Sequence, residues 1–363
     1  MIASPIRVGI IGVHPETGWA ATAHIPALQQ SPAFRLTAIS HHDSDIAQAA
    51  TAKFGVPHAL SSTEALVEHP DVDLVVVAVK VTRHEELVRR AVEAGKAVFS
   101  EWPLGMNLDA AVRMRDLARD AGVATAIGLQ TRASPPFAYM RDLVRDGFVG
   151  EVLSATLIGS GITLGASIGE GLRYTLDPAN GVGMQNVTFA HSIDGLLNVL
   201  DDRFAEARAA FATRRQTIML EESGEVLPLT APDQVVVNGV LENGAVVAAH
   251  FRGGLSRGTN FHLEINGTEG DLILTSPVGY VGIGGFRLQG ASGSEPLSDL
   301  TIPASYGSEQ FAGGPAQSLA LAYARLASDL TTGTTLTPTF DDAVDLHRLI
   351  DALERSAGLE RTA

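Results

Sequence analysis

The chain has 363 residues, 45% of them hydrophobic and 18% charged, and its 26 basic and 41 acidic side chains give a formal charge of −15. This composition suits about two domains with sizeable cores and excludes extended disorder. The acidic balance argues against nucleic-acid phosphates or an anionic membrane as partners, and the absence of cysteine excludes disulfides, thiolate metal sites and a cysteine nucleophile.

No apolar run approaches the roughly 18 residues of a transmembrane helix, and Met1 to Val13 lacks the features of a signal peptide, so a soluble cytoplasmic protein is expected. Ile6 to Gly12 reads as a buried strand and Trp19 to Gln30 as the helix after it. Phe34 to Ser40 is a second strand, and Ser44 to Phe54 a helix stopped by Gly55. The cycle repeats through a helix at Thr63 to His69, a β-branched strand at Val72 to Val79, a helix at Arg83 to Ala94 and a strand at Ala97 to Phe99. A helix at Leu108 to Ala121 and a strand at Thr125 to Leu129 complete it. Strands and helices alternating at this spacing predict a doubly wound parallel sheet over residues 1–130.

Beyond it, Val152 to Ser160, Gln234 to Leu241, Ala245 to Phe251, Phe261 to Ile265, Asp271 to Leu274 and Tyr280 to Leu288 read as strands, several joined by turn pairs such as Asn243-Gly244. Asn186 to Leu200 is an apolar helix, and Ala316 to Leu330 and Asp341 to Arg355 are C-terminal helices. Segments 165–183, 221–233 and 290–315 are rich in Gly, Pro and Ser and read as loops, the first a candidate cover for a substrate.

Ligands of a doubly wound sheet bind at the carboxyl ends of its strands, which here are Gly12 to His14, Ser40 to His42, Val79 to Val81, Glu101 to Pro103 and Gln130 to Arg132. The first turn, Gly12-Val13-His14-Pro15-Glu16-Thr17-Gly18-Trp19, departs from the G-x-G-x-x-G that cradles a pyrophosphate: His14 replaces the second glycine and the loop is longer. Taken alone, it also reads as an ordinary strand-to-helix turn, but its position in the first βα unit favours a dinucleotide. After the second strand comes Ser40-His41-His42-Asp43, without the carboxylate that normally binds the adenosine ribose at that place; NADP is therefore permitted and slightly favoured, while Asp43 keeps NAD open. His41 and His42 read equally well as solvated loop residues. The three lysines, Lys53, Lys80 and Lys96, all lie in the N-terminal third. The eleven histidines show no ligand spacing, so no metal is expected, and the G-x-S-x-G at Gly165 to Gly169 lies in a loop rather than a nucleophile elbow.

The stretch Ala94-Gly95-Lys96-Ala97-Val98-Phe99-Ser100-Glu101-Trp102-Pro103-Leu104 closely resembles the A-G-K-x-V-x-x-E-K-P-L signature of the Gfo/Idh/MocA family of NAD(P)-dependent oxidoreductases, with Trp102 in the place of the lysine. The E-W variant is similar to the branch that includes the galactose-regulon repressor of yeasts. Gly18-Trp19-Ala20 with His24 and Pro26, Leu129 to Arg132 with Ser134-Pro135, Asn180 to Val182, Thr188 to Asp194 and Ile265 to Leu272 resemble the same branch, so that the likeness runs from about residue 5 to residue 275.

The resemblance implies a Rossmann domain over 1–130 followed by an α+β domain over 131–363, whose large, open, mostly antiparallel sheet faces the cofactor and forms a homodimer or higher homo-oligomer. Family enzymes use the E-K-P lysine with an Asp and a His spaced D-x-x-x-H; matched here, these are Trp102, Val187 and His191. His191 is then the expected base, with Asp194 or Lys80 assisting. Gly12, Val13, His14, Gly18, Trp19, Ser40, His41, His42, Val79, His84, Glu101, Trp102 and Gln130 are the expected cofactor contacts. Trp102, Arg132, Arg173, Tyr174 and His191 are the expected substrate contacts. The expected activity is hydride transfer between NAD(P) and a sugar, polyol or related hydroxyl or keto compound. The alternative is a non-catalytic dinucleotide-binding regulator that contacts a protein partner.

Overall fold

The computed structural model describes residues 1–279, 281, 285–307 and 314–359. The chain forms two units. The first is Met1–Gln130 with Pro315–His347; the second is Thr131–Gly314 with the chain from Arg348 onward.

In the first unit, strands β1 (Ile6–Ile11), β2 (Phe34–Ser40), β3 (His58–Leu60), β4 (Leu74–Val77), β5 (Ala97–Ser100) and β6 (Thr125–Ile127) make a parallel sheet in the order β3-β2-β1-β4-β5-β6. Every residue of β4 and β5 is buried, as expected of strands covered on both faces. The strand order reverses between β1 and β4, and this switch point is where a doubly wound sheet opens a crevice for ligands. Local signals set the helix ends. Asp43 caps Ser44–Phe54 by accepting the N–H groups of Asp45 and Ile46, Gly55 stops that helix at φ 68°, and Asn107 caps Leu108–Asp120. Strand β3 was not anticipated. The helix expected from Trp19 is instead a π turn, Ala20–His24, that runs into a short α-helix, Ile25–Gln29.

The second domain expected over 131–363 gives up Pro315–His347 to the first unit. The physical reason lies in helix Pro315–Thr332, whose Tyr323 is fully buried and stacks on Phe99 of β5, with ring centroids 5.2 Å apart, and edge-on to Phe34 of β2 at 5.3 Å. The following backbone also ties to β6, where Ile127 N–H donates to the Pro338 carbonyl at 2.9 Å.

The second unit contains β7 (Val152–Gly161), β8 (Ser167–Ile168), β9 (Phe204–Ala212), β10 (Thr217–Leu220), β11 (Val226–Pro228), β12 (Gln234–Leu241), β13 (Val246–Gly253), β14 (Phe261–Gly267), β15 (Gly270–Ser276), β16 (Arg287–Ser292) and β17 (Ser298–Asp299). Eight of them form one sheet in the order β17-β16-β15-β14-β7-β13-β12-β9, antiparallel except where β7 meets β13. Side chains alternate, with Val247, Ala249 and Phe251 of β13 buried and the residues between them exposed or half-exposed. Phe251 packs edge-on to Phe189, 5.5 Å away in the π turn Gln185–Phe189, and this turn continues into helix Ala190–Leu200. Gly159 makes room for the same ring, since a Cβ there would lie 2.0 Å from it.

All three segments read as loops contain strand residues: β17 and the end of β16 fall within 290–315, while β8 and β11 both pair with β10 in a small three-stranded sheet that anchors 165–183 and 221–233 to each other. Ser167 of the G-x-S-x-G donates its hydroxyl to Glu221 at 2.8 Å. The strand expected from Tyr280 to Leu288 lies partly outside the described residues, and the observed strand there starts at Arg287.

Candidate functional site

The loop after β1 begins with Gly12 at φ 76°, where a Cβ would stand 2.4 Å from Val79 Cγ1. Glycine is therefore required both by conformation and by the close approach of the β4 exit. The N–H groups of Gly12 and Val13 donate to the Ser40 carbonyl at 2.7 and 3.3 Å, which binds the first two strand exits together. Gly18 also has positive φ, 91°. Farther along, the indole Nε1 of Trp19 is buried with no hydrogen-bond partner. The Gln130 side chain is 2% exposed, and both of its amide atoms are likewise unpartnered. Buried donors and acceptors left open at strand ends call for a polar ligand. With the glycine cradle at the switch point, they fit a nicotinamide dinucleotide.

His14, His41 and His42 gather at the ends of β1 and β2. The rings of His41 and His42 lie against each other, with centroids 4.3 Å apart and planes tilted by 30°. Burial first, then the neighbouring His42 and His14, hold His41 below the usual histidine range. His41 Nδ1 accepts the Asp43 N–H and His14 Nδ1 accepts the Glu16 N–H, both at 3.1 Å, so both rings carry a fixed tautomer. Asp43 spends Oδ1 on the helix cap.

Not every expected cofactor contact faces outward. His84 is 1% exposed, with Nε2 3.0 Å from the Val79 carbonyl and Nδ1 near Ser100 Oγ and the Leu104 carbonyl. Burial holds it below the usual histidine range, so it is a neutral brace behind Val79 rather than a surface group. Trp102, 6% exposed, lies against His347 with centroids 4.5 Å apart, and His347 Nε2 accepts the Gly105 N–H at 3.4 Å. Glu101 has its carboxylate against Gly128, where a Cβ would sit 2.7 Å from Cδ and both oxygens. Of the lysines, Lys53 bonds Glu16 and the Pro15 carbonyl, Lys96 bonds the His69 and Val72 carbonyls, and Lys80 is exposed just beyond β4.

In the second unit His191 sits in the first turn of helix Ala190–Leu200, 2% exposed, and burial pulls its pKa down to about 4. Asp194 lies one turn on and is ion-paired. Its carboxylate is gripped by Arg132, with Nη2 2.6 Å from Oδ1 and Nε 3.0 Å from Oδ2, and its side chain is 4% exposed. The same pairing occupies Arg132, which was expected to meet substrate. Arg173 is exposed beside Glu170 and Glu225, at 3.6 and 3.5 Å, and burial raises the half-buried Tyr174 above the usual tyrosine range. Both lie on the 3-10 turn Glu170–Leu176.

Sequence reasoning missed Tyr323, His347 and Gly128, none of which belongs to a recognisable motif. It also missed one histidine grouping: His58, His69 and Asp71 place potential ligand atoms within 4.8 Å of one another. In that group Arg7 Nη1 already bonds Asp71 Oδ1 at 3.0 Å, and His69 Nδ1 accepts the Asp71 N–H.

Comparison with known proteins agrees with this architecture. Residues 6–129 match the model of the oxidoreductase family with an NAD-binding Rossmann fold, and residues 135–276 match the Gal80p C-terminal domain. The chain is 32% identical to the galactose/lactose metabolism regulatory protein GAL80 of Saccharomyces cerevisiae, over 77% of this chain and 69% of that one. It is 30% identical to 1,5-anhydro-D-fructose reductase of Ensifer adhaerens, over 67% of this chain and 69% of that one. A crystal structure of a super-repressor mutant of Gal80p from Saccharomyces cerevisiae superposes with a TM-score of 0.89 at 27% identity, covering 98% of this chain and 97% of that one. Among the described residues no helix is long and apolar enough to cross a membrane. The chain thus belongs to the Gfo/Idh/MocA oxidoreductase family, in the branch that joins its Rossmann domain to a Gal80p-like C-terminal domain.

Proposed function

We propose that this protein is an NAD(P)-dependent oxidoreductase acting on a sugar, polyol or related hydroxyl or keto compound. When bound, the dinucleotide supplies the hydride acceptor or donor. Gly12, Val13, Gly18 and Trp19 hold the phosphates and the chain entering the first helix, while Glu101 and Gln130 contact the nicotinamide half. His191 is the single observation that carries the catalytic reading. The buried His191 imidazole, which burial keeps neutral at physiological pH, offers a ring nitrogen to accept the proton of a substrate hydroxyl. Lys80 assists as the exposed cation beyond β4. Trp102 shapes the apolar wall, and Tyr174 and Arg173 contribute from the 3-10 turn. Arg132 and Asp194 act as a pair that fixes the helix bearing His191.

The phosphorylated cofactor suits the β2 exit better, because His14, His41 and His42 gather there and Asp43 is engaged in a helix cap. The exposed face of the large sheet carries Val236, Val240 and Val246, 40%, 40% and 53% exposed, and suits a second copy of the chain. Static light scattering tests this: a monomer at working concentration contradicts it.

The second reading, a dinucleotide-binding regulator, rests on Trp102 standing in the place of the family's lysine. His191→Ala separates the two readings. The enzyme loses turnover and keeps cofactor affinity; a regulator has no turnover to lose, and its affinity for a protein partner changes with cofactor.

A further inference from the structure

Three segments far apart in sequence meet behind Glu101. His24, from the π turn after β1, is fully buried. Its Nδ1 lies 2.7 Å from the Tyr323 hydroxyl, and its Nε2 lies 2.9 Å from Glu101 Oε1, at ion-pair distance though short of full hydrogen-bond alignment. Phe99 packs edge-on to the imidazole at 5.4 Å and stacks on the Tyr323 ring. Gly128 makes room for the carboxylate, since a Cβ there would lie 2.7 Å from Glu101 Cδ and both oxygens.

We infer that Tyr323 and His24 are positioning residues for Glu101: the tyrosine hydroxyl sets the imidazole tautomer, and the imidazole holds the carboxylate where a nicotinamide dinucleotide meets it. The inference rests on the cofactor site proposed above. A neutral imidazole has one donor and one acceptor nitrogen. If the tyrosine O–H donates to Nδ1, the proton resides on Nε2, the nitrogen 2.9 Å from Glu101 Oε1, and all three groups are electrostatically complementary. The opposite tautomer sets a bare nitrogen lone pair against a carboxylate at 2.9 Å and strands the phenol proton. Burial and the charge of Glu101 hold Tyr323 well above the usual tyrosine range, so its hydroxyl keeps the proton it donates. Tyr323 belongs to the helix that the chain returns to the Rossmann unit, and that return thereby reaches the cofactor site.

The test is a double-mutant cycle read by NADH and NADPH fluorescence titration of the full chain. Tyr323→Phe should weaken binding roughly tenfold, the loss expected for one orienting hydrogen bond. In the Glu101→Gln background the same substitution should change affinity by less than about twofold, because the group it acts through is gone. An equal loss in both backgrounds would make Tyr323 a general packing residue and overturn the inference, and so would an unchanged affinity in the single variant. Heteronuclear NMR of the imidazole nitrogens in the wild-type chain is a second test, independent of how any variant folds. A proton on His24 Nε2 is expected, and a proton on Nδ1 alone overturns the tautomer argument. Failure of the wild type to bind either nucleotide overturns the cofactor reading itself, a result distinct from all of these.

Discussion

Replacing Asp194 with asparagine separates a structural ion pair from a catalytic dyad. Arg132 holds this carboxylate bidentately in a setting where the acid is 4% and the arginine side chain 21% exposed. Removing one partner of a buried pair costs about 3–5 kcal/mol, because the surviving charge stays desolvated. The partial exposure of Arg132 places Asp194→Asn at the lower end, about 3 kcal/mol. At roughly 2–4 °C per kcal/mol for a domain of this size, the melting temperature should fall by about 6–12 °C. The assay is differential scanning fluorimetry beside turnover at a temperature where the variant is folded. Arg132→Lys, which keeps the charge and loses the fork, should lie between wild type and Asp194→Asn. An unchanged melting temperature with turnover lost would refute the reasoning and return Asp194 to the role of partner to His191.

Three further outcomes follow from particular contacts. Gly12→Ala must adopt φ 76° and meet Val79 Cγ1 at 2.4 Å, so it should cost at least about 1 kcal/mol of stability and weaken both nucleotides; unaltered binding would remove the β1 turn from the cofactor cradle. His191, with a folded-state pKa near 4 against 6.5 for the exposed side chain, binds its proton more readily in the unfolded chain. Its contribution is therefore intact above pH 6.5 and lost as pH falls toward 4, by about 3 kcal/mol in all, and His191→Gln should flatten that acid limb in urea titrations at several pH values. The NADPH advantage over NADH should grow as pH falls and His41, held below the usual histidine range by burial, gains its charge. His41→Ala should blunt that trend, whereas a ratio independent of pH would exclude His41 from the 2′-phosphate site.

The Rossmann half was legible because its signals are local. β-branched runs bury on both faces, and Asp43, Gly55 and Asn107 mark helix ends by their own hydrogen bonds or backbone angles. Strand β9 escaped because Phe204–Ala212 is rich in alanine and none of its residues is buried, which leaves little contrast between its two faces to read. Strands β8, β10 and β11 are short pieces within or between glycine-rich stretches, and only their mutual pairing identifies them. The return of helix Pro315–Thr332 to the first unit was hidden for another reason: an amphipathic stripe shows that a helix is buried but not which core it fills.

The site divides in the same way. Gly12, Glu101 and His191 stand out by motif and by position at strand or helix ends. The grip of Arg132 on Asp194, across 62 residues, and the contact of Tyr323 with His24, across 299, depend on tertiary geometry that no spacing encodes. Sequence spacing pointed to Asp194 as a helper for His191; its ion pair with Arg132 could be seen only in the structure.

The central claim is tested most directly by titrating the protein with NADH and NADPH, then adding sugars, keto-sugars and polyols while following absorbance at the nicotinamide band. Saturable binding followed by an absorbance change with at least one member of the panel, lost in His191→Ala, is the predicted result. Tight binding with no absorbance change for any compound in either direction would contradict the enzyme reading and leave a dinucleotide-binding regulator.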